Sequence, residues 1–101
     1  MTGKQVVTVV DAQVSPEREA DFLAGYQRLT QEPQPEALLR SELLRGQDGA
    51  WRIQTTWHDF DALQAVRRSG KPPAALALLE SVGAEHTHGW FTVEQDYQPT
   101  R

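Results

Sequence analysis

The chain has 101 residues and a net charge of -4, which is room for one domain and excludes several classes of function. Its 10 Lys and Arg against 14 Asp and Glu form no basic stripe, so we expect no nucleic-acid partner. The lack of cysteine excludes disulfides, thiolate zinc sites and a cysteine nucleophile. Because no apolar run has the length of a membrane span and no signal segment opens the chain, we expect one cytoplasmic domain over residues 1–101 with no membrane partner.

The first third of the chain predicts a strand followed by a helix. Gln5 to Val14 is rich in valine, which favours a strand buried on both faces. Ser15 can cap the helix that follows, Pro16 suits its first turn, and two prolines after Glu32 end it. The buried stripe predicted for this helix is Phe22, Leu23, Tyr26 and Leu29.

The middle of the chain predicts a β-hairpin and a second helix. Leu38 to Arg45 and Ala50 to Trp57 are strand-like and are separated by a glycine-bounded turn. Asp59 can cap a short helix that runs through Arg68 and ends at Gly70. The residues predicted to point inward from it are Phe60, Leu63 and Val66.

The last third predicts a third helix and a final strand. Pro72-Pro73 opens the helix and Gly83 closes it, and its apolar stripe is Leu76, Leu79 and Val82. His86 to Tyr97 is the last strand. The order strand, helix, strand, strand, two helices, strand predicts an α+β fold of the ferredoxin-like, split βαβ type, with a four-stranded antiparallel sheet.

Helices on one side can cover only one face of this sheet. Successive residues of a strand point to opposite faces, and the strands carry apolar residues in both sets, such as Val7 beside Val6 and Leu44 beside Leu43. A second copy packed against the open face would bury them, so we expect a homodimer that closes into an eight-stranded barrel.

Four segments together resemble a known family, the antibiotic biosynthesis monooxygenase domain. They are the first strand and turn (Val7 to Glu17), the hairpin (Leu43 to Trp57), the start of the second helix (Asp59 to Leu63) and the last strand (His88 to Thr92). The last strand is similar to the polyketide-tailoring branch of that family. The resemblance implies a dimeric α/β barrel.

That branch oxidises anthrones or hydroquinones to quinones with molecular oxygen and no metal or flavin, so no cofactor is expected. The resemblance places Trp57 at the family's strand-end tryptophan. Asp11 and Ile53 stand where some members have asparagine. The haem-degrading branch would have tryptophan at Val66 and histidine near Leu76, so haem degradation is not expected here.

The function predicted from these residues is a cofactor-independent monooxygenase that acts on a planar aromatic small molecule. The candidate catalytic residues are Asp11, as the base, and Trp57, as the wall of the site. Tyr26, Trp51 and Phe22 are the candidate substrate-binding residues, since Trp51 shares an alternation with Trp57 and the other two lie on the helix stripe. Of these residues, Asp11, Trp57 and Tyr26 would surround a slot one ring thick.

Each candidate also has a structural interpretation. Trp57 can be a core residue, Asp11 an exposed turn residue, and Tyr26 a packed ring whose hydroxyl meets solvent or backbone. His86 and His88 share an alternation, but a third metal ligand is not evident. Ile53 and Val66 favour the alternative function, a non-catalytic dimeric ligand-binding or stress-associated domain.

Overall fold

The computed structural model describes residues 4–69 and 74–99. In this part of the chain four strands and three helices alternate in the predicted order. The strands are β1 (Val6–Gln13), β2 (Leu38–Arg45), β3 (Ala50–Trp57) and β4 (Glu85–Thr92), and the helices are α1 (Glu19–Gln31), α2 (Phe60–Arg68) and α3 (Ala74–Ser81).

The four strands form one antiparallel sheet in the order β2-β3-β1-β4, which confirms the ferredoxin-like α+β prediction. β1 lies between β3 and β4, so Val10 pairs with Ile53 on one side and with His88 on the other. β2 is one edge of the sheet and β4 is the other. The first and third strands in sequence are therefore the central ones.

The two predicted helix caps have different outcomes. Asp59 accepts a hydrogen bond at 2.7 Å from the backbone N–H of Ala62, so the cap of α2 is confirmed. The Ser15 side chain makes no cap bond, so that prediction is wrong. A 3-10 turn over Pro16–Arg18 precedes α1 instead, and the Arg18 N–H donates to the Ser15 carbonyl at 2.9 Å.

Helix α1 packs on the sheet through a narrower stripe than predicted. Phe22 and Gly25 are buried, whereas Leu23 is 39% exposed, so its place in the stripe was wrong. Leu23 lies about 100° around the helix from Phe22, which turns it toward solvent. Gly25 faces Leu78 of α3, where an added Cβ would lie 2.3 Å from a leucine methyl. The glycine thus allows α1 and α3 to approach closely.

The core lies between the helices and one face of the sheet. Its buried members are Val10, Ala12, Val14, Phe22, Trp51, Ile53, Leu78, Leu79 and Val82. Phe22 is fully buried and meets Trp51 edge to face with 5.3 Å between ring centroids. This arrangement confirms that the apolar stripes of α1 and α3 pack on the sheet.

Strand β4 ends at Thr92, so its predicted extension to Tyr97 was wrong. The ladder with β1 ends where Val6 pairs with Thr92, and one further bond joins the Val93 N–H to the Gln5 carbonyl at 2.9 Å. Tyr97 is 85% exposed. Gly70 and the Pro72-Pro73 pair, predicted to end α2 and begin α3, lie outside the described residues.

The register assigns each strand residue to one of two faces, because directly paired residues point the same way. The face toward the helices carries Thr8, Val10, Ala12, Ser41, Leu43, Trp51, Ile53, Thr55, Trp57, His86, His88 and Trp90. The opposite face carries Val7, Val9, Asp11, Leu44, Arg52, Gln54 and Phe91. The opposite face is therefore a mixture of apolar and charged side chains.

Candidate functional site

A cleft of about 1210 Å³ lies on the helix-facing side of the sheet. Its floor is formed by the middle of the strands, and its walls come from α1, α2, α3 and the segment 32–37. Most of the side chains around it are apolar, among them Leu29, Ile53, Leu63, Val66 and Leu76. A space of this size and character suits an apolar small molecule.

Trp57 borders the cleft and is held in place by a hydrogen bond across the sheet. Its indole Nε1–H donates to the Thr8 hydroxyl oxygen at 3.0 Å, and that hydroxyl donates in turn toward the Thr55 carbonyl at 3.5 Å. The Thr8 hydroxyl is thus committed to protein partners. Trp57 is half-buried and presents a fixed aromatic surface, as the pocket-wall interpretation requires.

Tyr26 and Ser41 form the second polar pair of the cleft. The Tyr26 hydroxyl lies 2.7 Å from the Ser41 hydroxyl, and both residues are partly buried cleft residues. Either oxygen can be the donor, so the pair keeps capacity to donate or accept one further hydrogen bond. The structure thereby brings Tyr26 and Trp57 to one cavity, from a helix and from a strand end.

Asp11 does not join them, and its predicted place in the slot is wrong. It pairs in register with Arg52 on the opposite face of the sheet. Its two carboxylate oxygens accept from the Arg52 Nε and terminal nitrogen at 2.7 and 3.1 Å, and this hydrogen bond raises the pKa of Arg52. The physical reason is the two-residue period of the strand, which turns Asp11 away from Val10 and Ala12.

Phe22 and Trp51 are also outside the cleft, which corrects their predicted place in its lining. Both are buried in the core against each other. The Arg45 guanidinium covers the Trp51 ring at 4.2 Å from its centroid. Trp51 shares a face with Trp57 but lies six residues away along β3, packed against Phe22 of α1 and Arg45 rather than beside the cleft.

The two histidines of β4 have different surroundings. His88 borders the cleft, whereas His86 does not and has a buried Nδ1 that finds no hydrogen-bond partner among the described residues. Across residues 4–69 and 74–99, no three His, Cys, Asp or Glu side chains come together as metal ligands would. No helix in the same ranges is both long and apolar enough to cross a membrane.

The polar cleft residues that sequence reasoning missed include Thr8, Ser41 and His88. Thr8 is the one polar residue in a run of valines, and this alone could have marked it. Ser41 shares the face of Leu43 by alternation, which could have marked it, and the register shift between Leu38 and Arg40 brings Leu38 onto that face as well. His88 is found only when the pairing of β4 with β1 is known.

Comparison with known proteins gives structural likeness only, since no family model and no curated protein matches the chain. SnoaB, a cofactor-independent oxygenase from Streptomyces nogalater, is 24% identical, with a TM-score of 0.71 over 93% of this chain and 97% of its own. Proteins named as antibiotic biosynthesis monooxygenases are also similar. The one from Deinococcus radiodurans is 14% identical, with a TM-score of 0.72 over 95% of this chain and 99% of its own. The one from Caulobacter crescentus is 15% identical, with a TM-score of 0.67 over 89% and 90%.

The chain has the fold of the antibiotic biosynthesis monooxygenases. This confirms the resemblance at the level of fold, over nearly the whole length of both chains. Identities below a quarter carry no substrate or residue role across to this chain. The function therefore has to be argued from the cleft.

Proposed function

We propose that this protein is a cofactor-independent monooxygenase that oxidises a planar aromatic, anthrone- or hydroquinone-type small molecule in the cleft. The observation that carries the proposal is the cleft itself. A fixed Trp57 ring and the Tyr26–Ser41 pair face an otherwise apolar space. Such a site can hold a flat ring system and orient one of its oxygens.

For an anthrone, the reaction balances without an external reductant. The anthrone reacts through its phenolic enol tautomer. The enol hydroxyl loses a proton, and the electron-rich anion transfers an electron to oxygen. The two radicals combine into a hydroperoxide, which loses water to leave a carbonyl. One oxygen atom ends in the quinone and the other in water. The protein's contribution is to bind, to accept the proton and to shield the radicals from solvent.

The assembly we propose is a cytoplasmic homodimer joined through the sheet face opposite the helices. Val7, Leu44 and Phe91 on this face support it, and Phe91 is 62% exposed in one chain. A dimer of this kind would bury more than ~1,200 Å² in total. Sedimentation at micromolar concentration should give twice the mass of one chain, and a monomer would contradict the assembly.

Trp57 provides the test of the cleft. Trp57→Ala should lower kcat/KM for 1,8-dihydroxy-9-anthrone by ~10²-fold, because a misplaced substrate loses the reacting geometry. Trp57→Phe should retain more activity and more stability. Trp90→Phe is the matched control, since Trp90 is a tryptophan of the same sheet face that stacks on Phe60 instead of bordering the cleft.

The measurement is oxygen consumption together with quinone formation. Equal uptake of oxygen and formation of quinone, reduced in the Trp57 variants and normal in Trp90→Phe, supports the proposal. Failure of the wild-type protein to accelerate the reaction of the anthrone with oxygen would contradict it. Equal loss in Trp57→Ala and Trp90→Phe would also contradict it, since the effect would not come from the cleft.

Ile53 favours a second candidate function, a non-catalytic dimeric ligand-binding or stress-associated domain. Ile53 is 4% exposed and supplies an apolar group to the floor of the cleft. A floor without a polar group can bind an aromatic molecule but cannot stabilise the charge that develops during a reaction. Saturable quinone binding without any oxygen uptake would favour this function.

A further inference from the structure

His88 is a cleft residue whose side chain lies on the same side of the sheet as the helices. It pairs directly with Val10, and Val10 is a core residue beneath those helices. Because directly paired residues point to the same face, the imidazole of His88 is directed to the cleft side. His88 is also exposed, so a ligand entering the cleft can reach it.

Among the described residues that line the cleft, the titratable ones are Tyr26, Glu32, Glu36, Arg67 and His88. Glu32 and Glu36 are exposed and lie in the connection between α1 and β2, at the other edge of the sheet from β4. Arg67 is a permanent cation and cannot accept a proton. Histidine is the residue type that exchanges protons near neutral pH.

The elements packed against β4 are β1, α3 and α2, which contacts it through Phe60 on Trp90 and contributes the cation Arg67 to the cleft. On the helix-facing side, neighbouring β1 contributes the uncharged Thr8 and Val10. Helix α3 carries one titratable residue among residues 74–81, Glu80, and it is exposed. His86 shares the face of His88 but lies outside the cleft. No described carboxylate on these elements forms a hydrogen bond with His88.

The two polar ends of the cleft face each other across the sheet. Ser41, with Tyr26, lies on the β2 edge, and His88 lies on the β4 edge, three strand spacings or about 14 Å away across the strands. They are also displaced by two residues along the strands, because Ser41 is level with Trp90. Between them the Thr8 hydroxyl is already used by Trp57 and Thr55. A polycyclic ligand can therefore place one oxygen at Tyr26 and another at His88, with its rings over the floor.

We propose that His88 accepts the proton of a phenolic hydroxyl on the aromatic ligand bound in the cleft. The phenol O–H bond breaks, an N–H bond forms on the imidazole, and the ligand becomes an electron-rich phenolate beside an imidazolium. The proposal rests on the proposed function, because it assigns to His88 the proton-accepting role in that cleft.

The test uses 2-hydroxyanthraquinone, a product-like quinone whose absorption moves to longer wavelength when its phenol ionises. The probe needs no oxygen chemistry, so the result does not depend on turnover. The variant is His88→Gln, which keeps a hydrogen-bonding side chain but cannot take the proton. His86→Gln is the matched control, from the same strand and face but outside the cleft. Circular dichroism and thermal unfolding establish whether each variant is folded. If His88→Gln does not fold, His88→Asn replaces it.

At fixed neutral pH, wild type and His86→Gln should bind the probe with the phenolate band. His88→Gln should bind it with an ionised-to-neutral ratio lower by about tenfold, one pKa unit of the bound phenol. Turnover of the anthrone should fall by ~10²-fold or more in the same variant, as expected for loss of a general base.

An undiminished phenolate band in His88→Gln would overturn the role of His88 and leave the oxygenase proposal standing. Equal loss of the band in His86→Gln would overturn it as well. Loss of all binding in a folded His88→Gln would make His88 a binding group only and overturn the proton transfer. Absence of saturable binding to the wild type would overturn this inference, whereas absence of oxygen uptake with the band intact would overturn only the oxygenase.

Discussion

The two faces of the sheet use the same four strands but have different chemistry. The helix-facing side has a buried core at one end and the cleft with Trp57, Tyr26 and His88 at the other. The opposite side carries the half-exposed ion pair of Asp11 and Arg52 among apolar residues. Neighbouring residues of β1 point to opposite faces, since side chains alternate along a strand, so one position in sequence decides which face a residue belongs to. Face assignment therefore decides which polar residues can share a ligand.

The core end of the helix-facing side should be the most sensitive to truncation. Phe22→Ala should lower the free energy of unfolding by ~3–5 kcal/mol, because it removes a fully buried ring that meets Trp51. Leu23→Ala is the matched control on the same helix, and its 39% exposure predicts a much smaller loss. Chemical denaturation measures both. Similar losses in the two variants would contradict the observed stripe of α1.

The close approach of α1 and α3 gives the next largest effect. Gly25→Ala places a methyl group 2.3 Å from the Leu78 side chain and should cost ~1–3 kcal/mol through overpacking. The double variant Gly25→Ala/Leu78→Ala removes the clashing group, so its loss should be smaller than the sum of the two single losses. Strict additivity in denaturant unfolding would mean that the two helices do not meet at Gly25.

The cap of α2 should give a pH-dependent effect of smaller size. The hydrogen bond from the Ala62 N–H, and then the one with His58, lower the pKa of Asp59 in the folded protein. A lowered folded pKa stabilises the protein above the ordinary carboxyl pKa, and this stabilisation is lost as the pH falls through the folded value. Thermal unfolding midpoints of wild type and Asp59→Ala should differ at neutral pH and converge in acid. A constant difference would contradict the cap.

The opposite face should give the smallest effect within one chain. Asp11→Asn should change stability by about 1 kcal/mol or less, because its ion pair with Arg52 is roughly half-exposed on both sides. It should leave kcat/KM unchanged, since Asp11 faces away from the cleft. A large loss of turnover in a folded Asp11→Asn variant would contradict the assignment of the reaction to the helix-facing cleft.

Local patterns predicted most of the fold, and their failures have physical reasons. Strand pairing, the cap at Asp59 and the apolar stripe of α3 follow from alternation, capping chemistry and helical spacing. Ser15 failed as a cap because a 3-10 turn opens α1, which no residue type specifies. The end of β4 failed because strand length depends on the partner, and the ladder with β1 ends at the Val6–Thr92 pair, followed by one bond to Gln5.

The candidate site was predicted less well because it depends on long-range register. Tyr26 and Trp57 were correctly brought together, since a helix stripe and a strand face can each be derived locally. Asp11 was assigned by likeness to an asparagine position, although its alternation with Val7 and Val9 already separated it from Thr8 and Val10. His88 joined the cleft only through the pairing of β4 with β1, which connects residues nearly eighty positions apart.

The most direct test of the account is a crystal structure of the protein with 2-hydroxyanthraquinone bound. We predict the rings on the helix-facing side, against Trp57, with one oxygen in hydrogen-bonding reach of the Tyr26–Ser41 pair. Rings lying on the opposite face, against Asp11 and Arg52, would contradict the central claim that the helix-facing cleft is the functional site.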